Sequence, residues 1–391
     1  MRLLQLTNKF PFPPKDGGTL AMAFFPEAWR DLGYTGYGLA MDTPKHPFQP
    51  SYPTPIPYEA IPVHSTPTLP GAFLNLFSSL PYHVVRFQSR AYTYALQRII
   101  ETFQPDLIQV ETPYLTPYIE GLSLPRIYRL HNVEWEIWLQ HSQERAWPLR
   151  FYLQTQAKRI RSFEEKAIHR YQGLLPISKN EYQWIHSQRY KGSVELIPFA
   201  VRVDEYEVPP LGKPHPSIGY IGSLDWMPNQ SGLVWFLEQV WPAFRRKHPT
   251  AHLYIAGRGM PAWMRKYQDN HTHLVGAIED AKAFFYQHEI FIVPLFSGSG
   301  IRVKLIEAFA TGRAIVATPL AADSLIYESG KHLLLAEKPE DFQQALSLLY
   351  TDAALRKQMG EATRHLAETT YDRSLVLEKM HHFYKEVLRH A

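Results

Sequence analysis

At 391 residues the chain is too long for one core and predicts two to three domains at roughly 150 residues each. Its 41 Lys and Arg against 37 Asp and Glu leave a net charge of +4, too weak and too dispersed for a nucleic-acid binder, and 45% apolar residues exclude global disorder. Cysteine is absent, which excludes a disulfide framework, a cysteine nucleophile, thiolate zinc and Cys-ligated iron–sulfur chemistry.

Short apolar runs alternate with helical patterns along the whole chain, the pattern of a doubly wound α/β architecture. Strands are predicted at Leu3–Leu6, Gly36–Met41, Leu107–Val110, Arg126–Leu130 and Leu174–Ile177, with helices over Thr19–Asp31, Val84–Phe103 and the long Trp135–Tyr171 region. Pro44–Pro70 interrupts this order. Its prolines lack donors, so it reads as an extended surface excursion. Five prolines in Pro198–Pro216 mark a linker. A second series follows: strands at Ser217–Ile221, His252–Ile255, Ile290–Pro294, Ala314–Thr318 and His332–Leu335, with helices at Ser231–Lys247, Glu279–Gln287, Val303–Ala310 and Pro339–Leu349. The tail Ala353–Arg389 is predicted to be helical throughout. The apolar stretch before Thr7 and Asn8 is too short for a signal peptide and reads as a buried strand. No run reaches 18 apolar residues, so a cytoplasmic location is expected.

Three features carry chemistry. Gly17-Gly18 follow the first strand and open the first helix, where flexible backbone and unpaired N–H groups offer a place for a phosphate. The alternative is a tight turn without a ligand. It is neither a G-x-G-x-x-G fingerprint nor a Walker A loop. The second feature is Pro294-Leu-Phe-Ser-Gly-Ser-Gly-Ile-Arg-Val-Lys-Leu-Ile-Glu307, a strand ending in a Gly-Ser-Gly loop before a helix. Arg302 and Lys304 stand in the first turn of that helix, where cations oppose the dipole and so point to an anionic partner. A Lys304–Glu307 surface pair is the plain alternative. The third is His131, ending the apolar strand in Arg129-Leu-His-Asn-Val-Glu134. An acidic Asp-x-Asp pair is missing, as are H-E-x-x-H and G-x-S-x-G, so neither a metal cofactor nor a serine nucleophile is expected.

The Pro294–Glu307 segment resembles the signature of family 4 glycosyltransferases, nucleotide-sugar enzymes of the GT-B fold with two Rossmann-like domains facing across a cleft. The resemblance extends over nearly the whole chain. Leu6–Gly18 is similar to the family's glycine loop, and Arg129–Glu134 to the strand end with its cleft histidine. Ile177–Glu181 and Ile197–Asp204 resemble the segments leading to the linker. Tyr220-Ile-Gly222-Ser-Leu-Asp-Trp-Met-Pro-Asn229 resembles the start of the donor domain, followed by Gly257-Arg258-Gly259 and Gly276. In the family an E-x(7)-E motif touches the donor. Glu307 matches its second carboxylate, which holds the ribose, whereas Ser299 stands at the first. Many members also place an Arg and a Lys shortly after the glycine matched by Gly222. Here Ser223–Gly232 has neither, and Arg302 and Lys304 are the expected replacements.

The resemblance implies a retaining, metal-independent glycosyltransferase that moves a sugar from a nucleoside-diphosphate sugar to a glycan, lipid-linked or small-molecule acceptor. Residues 1–200 would bind the acceptor and 201–370 the donor, with the helix 371–391 packing back on the first domain. His131, Arg302, Lys304 and Glu307 would be catalytic. Gly17, Gly18, Gly222, Arg258, Gly276, Ser299 and Gly300 would join the last three in binding the donor. A catalytically weak sugar-nucleotide binder and a GT-B sugar-nucleotide epimerase remain alternatives. Phe73–Leu80 and the mixed basic–aromatic Val84–Arg98 suggest a peripheral contact with a membrane surface or a lipid-linked acceptor, against the plainer reading of a packed helix with solvated arginines. The Lys158-Arg159-Ile-Arg161 cluster reads as a solvated helix face.

Overall fold

Strands buried on both faces read as unbroken apolar runs, and such runs form the centres of two parallel sheets here. The computed structural model describes all residues except 15, 144, 299–301 and 391. It divides into two units, Met1–Ile197 with Leu377–Ala391, and Pro198–Val376.

The first unit contains β1 (Arg2–Thr7), β2 (Thr35–Asp42), β3 (Tyr58–Pro62), β4 (Leu107–Val110), β5 (Arg126–Leu130), β6 (Gly173–Pro176) and β7 (Ser193–Val194). They lie in the order β3-β2-β1-β4-β5-β6-β7, all parallel. The second contains β8 (Ile218–Ile221), β9 (Leu253–Ala256), β10 (Thr272–Gly276), β11 (Ile290–Val293), β12 (Ala314–Ala317) and β13 (Leu334–Leu335). Their order is β10-β9-β8-β11-β12-β13, again all parallel. Both sheets are doubly wound and Rossmann-like. Alternation along β11 sends Phe291 and Val293 into one apolar layer and Ile290 and Ile292 into the opposite one. The strand order reverses between β1 and β4 in one sheet and between β8 and β11 in the other. Loops at the C-terminal ends of such strands form the ligand crevice in this class of sheet.

Several elements differ from the sequence expectation. Pro44–Pro70 is not wholly an excursion, because it supplies the edge strand β3 and buries Ile56 and Val63. Pro62 is tolerated there because it ends a strand on the sheet's edge. The helix expected over Val84–Phe103 is two helices, Tyr82–Val85 and Arg90–Phe103, with Ser89 capping the second through the Tyr92 amide. Likewise Trp135–Tyr171 is broken into Glu134–Gln143 and Leu149–Ala167, with Pro148 at the start of the latter. Ser231–Lys247 carries a π-helical turn at Phe236–Val240, ending two residues before Pro242, which has no N–H to continue the α pattern. The C-terminal tail is interrupted at Asp372, which bridges to Val201. Its last helix, Arg373–His390, delivers Tyr384 to the first unit, where the phenol accepts from Trp29 Nε1 at 2.9 Å and donates to Gln109 Oε1 at 2.7 Å.

Candidate functional site

In the second unit, β8 ends at Ile221 and the chain turns at Gly222, whose amide donates to the Ala256 carbonyl at 3.1 Å. A Cβ on Gly257 would sit 1.8 Å from the Gly222 carbonyl oxygen, so only glycine lets the turns after β8 and β9 lie on each other. A Cβ on Gly222 would fall 3.1 Å from each of three polar atoms: Lys304 Nζ, Asn229 Nδ2 and Tyr220 Oη. An ammonium, an amide and a phenol therefore converge beside this glycine. Tyr220 is 1% exposed, and among the described residues its hydroxyl has no hydrogen-bond partner. Lys304 makes a long 3.5 Å contact to Asn229 Oδ1 and lies 4.9 Å above the Tyr220 ring. Burial, and then the neighbouring Arg302, push the Lys304 ammonium down to about 7.

Arg302 precedes the helix Val303–Ala310 and is buried. Its Nη2 donates to the Gly298 carbonyl at 2.8 Å, and its guanidinium lies 5.7 Å from the Trp226 ring centre. Gly298 has φ +96°, and a Cβ there would come within 2.6 Å of Trp226. The loops that follow β8 and β11 are thus packed together at the switch point. Burial lowers the Arg302 guanidinium to about 10, with Asp323 opposing the shift. Two cations held in this way gain most from an anion that brings its own charge.

Lys304 and Glu307 do not pair with each other. Lys304 turns to Asn229, while Glu307 Oε1 accepts from the Tyr206 hydroxyl at 3.1 Å. Burial raises the Glu307 carboxyl above its usual range, against the Tyr206 bond and Lys282. Lys282 in turn stands 4.6 Å above the Tyr206 ring and pairs with Glu205 at 2.9 Å. Arg258 is exposed and faces Asp225 at 3.8 Å, while the Gly276 carbonyl accepts from the Gly257 amide at 2.7 Å. Ser299 and Gly300 lie outside the described residues.

In the first unit, Gly17 and Gly18 begin the helix Gly17–Asp31, but a protein carboxylate already stands in front of it. Asp16 Oδ1 accepts from the Thr19 amide at 2.8 Å, Lys9 Nζ approaches the same oxygen at 3.1 Å, and His46 Nε2 lies 3.6 Å from Asp16 Oδ2. Burial acts to raise the Asp16 carboxyl, yet Lys9, the Thr19 amide and His46 bring it to about 2. An anion at this helix start would meet an ionised carboxylate.

His131 follows β5, and its Nε2 is 2.9 Å from Glu111 Oε2 at the end of β4. The other Glu111 oxygen accepts from Gln5 Nε2 at 2.7 Å and Gln109 Nε2 at 2.6 Å. With Glu111 fully engaged as acceptor, His131 carries its hydrogen on Nε2 and presents Nδ1 as an acceptor. Burial pushes the imidazolium pKa down, with Glu111 pulling the other way, so the ring is held toward its neutral form. Among the described residues Nδ1 has no hydrogen-bond partner, and neither do Thr7 Oγ1 and Asn8 Oδ1 at the end of β1. Glu134 does not cap its own helix. Glu164 does, accepting from the Glu134 and Trp135 amides at 3.0 Å each, while Glu134 accepts from Tyr114 at 2.6 Å.

Sequence reasoning missed Tyr220, Asn229, Trp226, Tyr206, Lys9 and Glu111. Asn229 and Trp226 lie inside the quoted Tyr220–Asn229 segment, so their proximity to Gly222 was the available signal. Nothing local marked Tyr206 or Glu111. Among the described residues, no cluster of three or more His, Asp or Glu side chains is arranged to hold a metal ion.

Residues 215–352, all within the second unit, match the family model described as glycosyl transferases group 1. A phosphatidyl-myo-inositol mannosyltransferase of Mycobacterium leprae (strain TN) is 26% identical over 239 residues, covering 58% of this chain and 62% of that protein. The chain spans 28–62% of the length of the curated relatives it matches. Sucrose-phosphate synthase from Thermosynechococcus elongatus aligns over 100% of both chains with a TM-score of 0.68 at 15% identity. Anabaena HepE in complex with UDP aligns over 98% of this chain and 100% of its own, with a TM-score of 0.66 at 11% identity. At these identities the structural likeness is one of fold, and the fold is GT-B, built of two parallel-sheet Rossmann-like domains. Within it, residues 215–352 form a glycosyl transferases group 1 domain.

Proposed function

We propose that this chain is a retaining glycosyltransferase that takes a sugar from a nucleoside-diphosphate sugar and passes it to a glycan, lipid-linked or small-molecule acceptor without a metal ion. The second unit binds the donor and the first unit the acceptor. The observation that carries this reading is the convergence of Lys304, Asn229 and Tyr220 beside Gly222, next to Arg302, at the β8/β11 switch point. Backbone turned by glycine, two desolvated cations and a buried phenol suit a diphosphate. Glu307 accepts hydrogen bonds from the ribose hydroxyls, with Tyr206 holding the carboxylate. His131 Nδ1 accepts from a sugar hydroxyl.

In the proposed reaction the bond from the anomeric carbon to the diphosphate oxygen breaks, and the acceptor oxygen bonds to that carbon on the same face. The acceptor proton passes to the departing diphosphate. Negative charge grows on the diphosphate as it leaves, and Arg302 and Lys304 stabilise it where metal-dependent enzymes use a cation. The solved complex of HepE with UDP makes UDP the first nucleotide to test.

The purified chain incubated with UDP- and GDP-sugars and an acceptor panel should release nucleoside diphosphate and form a product that retains the anomeric configuration, with EDTA present or absent. Loss of activity with EDTA that manganese or magnesium restores refutes the metal-free mechanism. A second reading, binding without transfer, is favoured by Ser299 standing where the family pattern has a carboxylate. Tight nucleotide-sugar binding with no nucleoside diphosphate released would establish it.

A further inference from the structure

The first unit exposes a concentration of large apolar side chains on two neighbouring segments. On the segment from Thr68 to Leu80, Leu69 is 89% exposed, Phe73 61%, Leu74 68% and Phe77 82%. On the second segment, Trp147 is 82% exposed and Phe151 67%. These side chains do not sit on a loose loop. The Thr68 hydroxyl caps the helix Leu69–Leu74 through the Gly71 amide at 3.2 Å, and the Thr68 amide donates to the Tyr82 hydroxyl at 3.0 Å. Arg159 Nη1 and Nη2 donate to the Asn75 and Leu76 carbonyls at 2.7 and 2.8 Å. Gln156 donates to Asn75 Oδ1 at 3.1 Å and accepts from the Tyr82 amide at 3.0 Å. The helix Leu149–Ala167 is therefore a rigid mount for the Phe73–Phe77 turn, and Arg159 serves as its bracket rather than as a solvated charge.

The Thr68–Leu80 segment carries no charged residue, and the second segment is cationic, with five Lys or Arg and no Asp or Glu from Arg145 to Phe163. The whole chain, by contrast, carries a net charge of only +4. Lys158 lies two turns from Phe151 on one face of its helix, and Arg145 and Arg150 flank Trp147. Exposed aromatics among cations with no carboxylate fit an anionic bilayer, into which the rings insert while the cations meet the head groups. A second copy fits poorly, because a two-fold contact would set this cationic face against itself. Among the described residues no helix is long and apolar enough to cross a membrane.

We propose that the face formed by Leu69–Phe77 and Arg145–Lys158 docks the first unit on the surface of an anionic lipid bilayer.

The test is co-sedimentation of the full chain with vesicles of phosphatidylcholine alone and of phosphatidylcholine mixed with phosphatidylglycerol. The chain should sediment with the phosphatidylglycerol vesicles and release partly in high salt. Phe73→Ser/Phe77→Ser should lower vesicle partitioning by about 10-fold or more, with an unchanged melting temperature because both side chains are exposed in the fold. Arg150→Ser/Lys158→Ser should remove most of the salt-sensitive part of the binding. Absence of sedimentation with anionic vesicles overturns the proposal, as does binding that Phe73→Ser/Phe77→Ser leaves unchanged. A dimer in sedimentation equilibrium that the same double substitution dissociates also overturns it, in favour of a second copy.

Discussion

Lys304 offers the sharpest test of the diphosphate site, because its protonation must change when an anion arrives. Burial and Arg302 hold the free ammonium at about 7 instead of its ordinary 10.5. At about pH 8 only about one-tenth of the molecules carry this proton, and a bound diphosphate should return the residue to nearly full protonation. Binding UDP at about pH 8 should therefore take up about 0.9 of a proton, well above the phosphate's own second ionisation near pH ~6. Because only the protonated form binds well, affinity should fall about 50-fold between about pH 7 and about pH 9. Calorimetry in buffers of different ionisation enthalpy measures the uptake directly. Lys304→Arg keeps the charge at every pH and should abolish both the uptake and the alkaline loss of affinity. Without ligand, the folded chain holds fewer protons at Lys304 than the unfolded chain between about pH 7 and the ordinary 10.5. The cost of burying this charge is thus complete below about pH 7 and fades as pH rises. Zero uptake at about pH 8 together with a pH-independent Kd would refute the placement of the diphosphate at Lys304.

Arg302→Ala should reduce kcat by about 10²–10³ and weaken UDP binding while leaving uridine binding intact. Equal loss for both ligands removes Arg302 from the phosphate site. Glu307→Ala should weaken UDP and uridine alike by about 10–100-fold, the contribution of hydrogen bonds to a charged acceptor, and unchanged calorimetric affinity excludes it from the ribose. Glu111→Gln releases the hydrogen on His131 Nε2 from its acceptor and should lower kcat by about 10-fold or more without changing the Kd for UDP. An unaltered kcat means that the Glu111–His131 pair serves only the fold. Gly232→Ala places a Cβ 1.8 Å from the Pro294 carbonyl oxygen, so the helix Met227–Trp235 must move off the loop after β11. A melting temperature within error of the parent would show that this packing yields freely.

The parallel α/β class and the positions of the central strands were legible in the sequence. β1, β4, β5, β8, β9, β11 and β12 are short apolar runs, as burial on both faces requires. The strands that escaped notice, β3, β7 and β10, all lie at sheet edges, where their residues are largely half-buried and carry no such run. Helix breaks at Ser89, Pro148 and Asp372 were also missed, since local capping and a missing donor outweighed a continuous helical pattern. In the site, the Gly-Ser-Gly loop, Arg302, Lys304 and Glu307 could be read because they are adjacent in the chain and share one motif. Their partners could not. Asn229 reaches Lys304 across 75 positions and Tyr206 reaches Glu307 across 101, joined only because β8 and β11 are neighbours in the sheet and the linker folds back beside the helix Val303–Ala310. Desolvation is likewise a property of the packed chain. Sequence placed a lysine at a helix start, but only burial in the packed chain, and then the neighbouring Arg302, bring its ammonium to about 7.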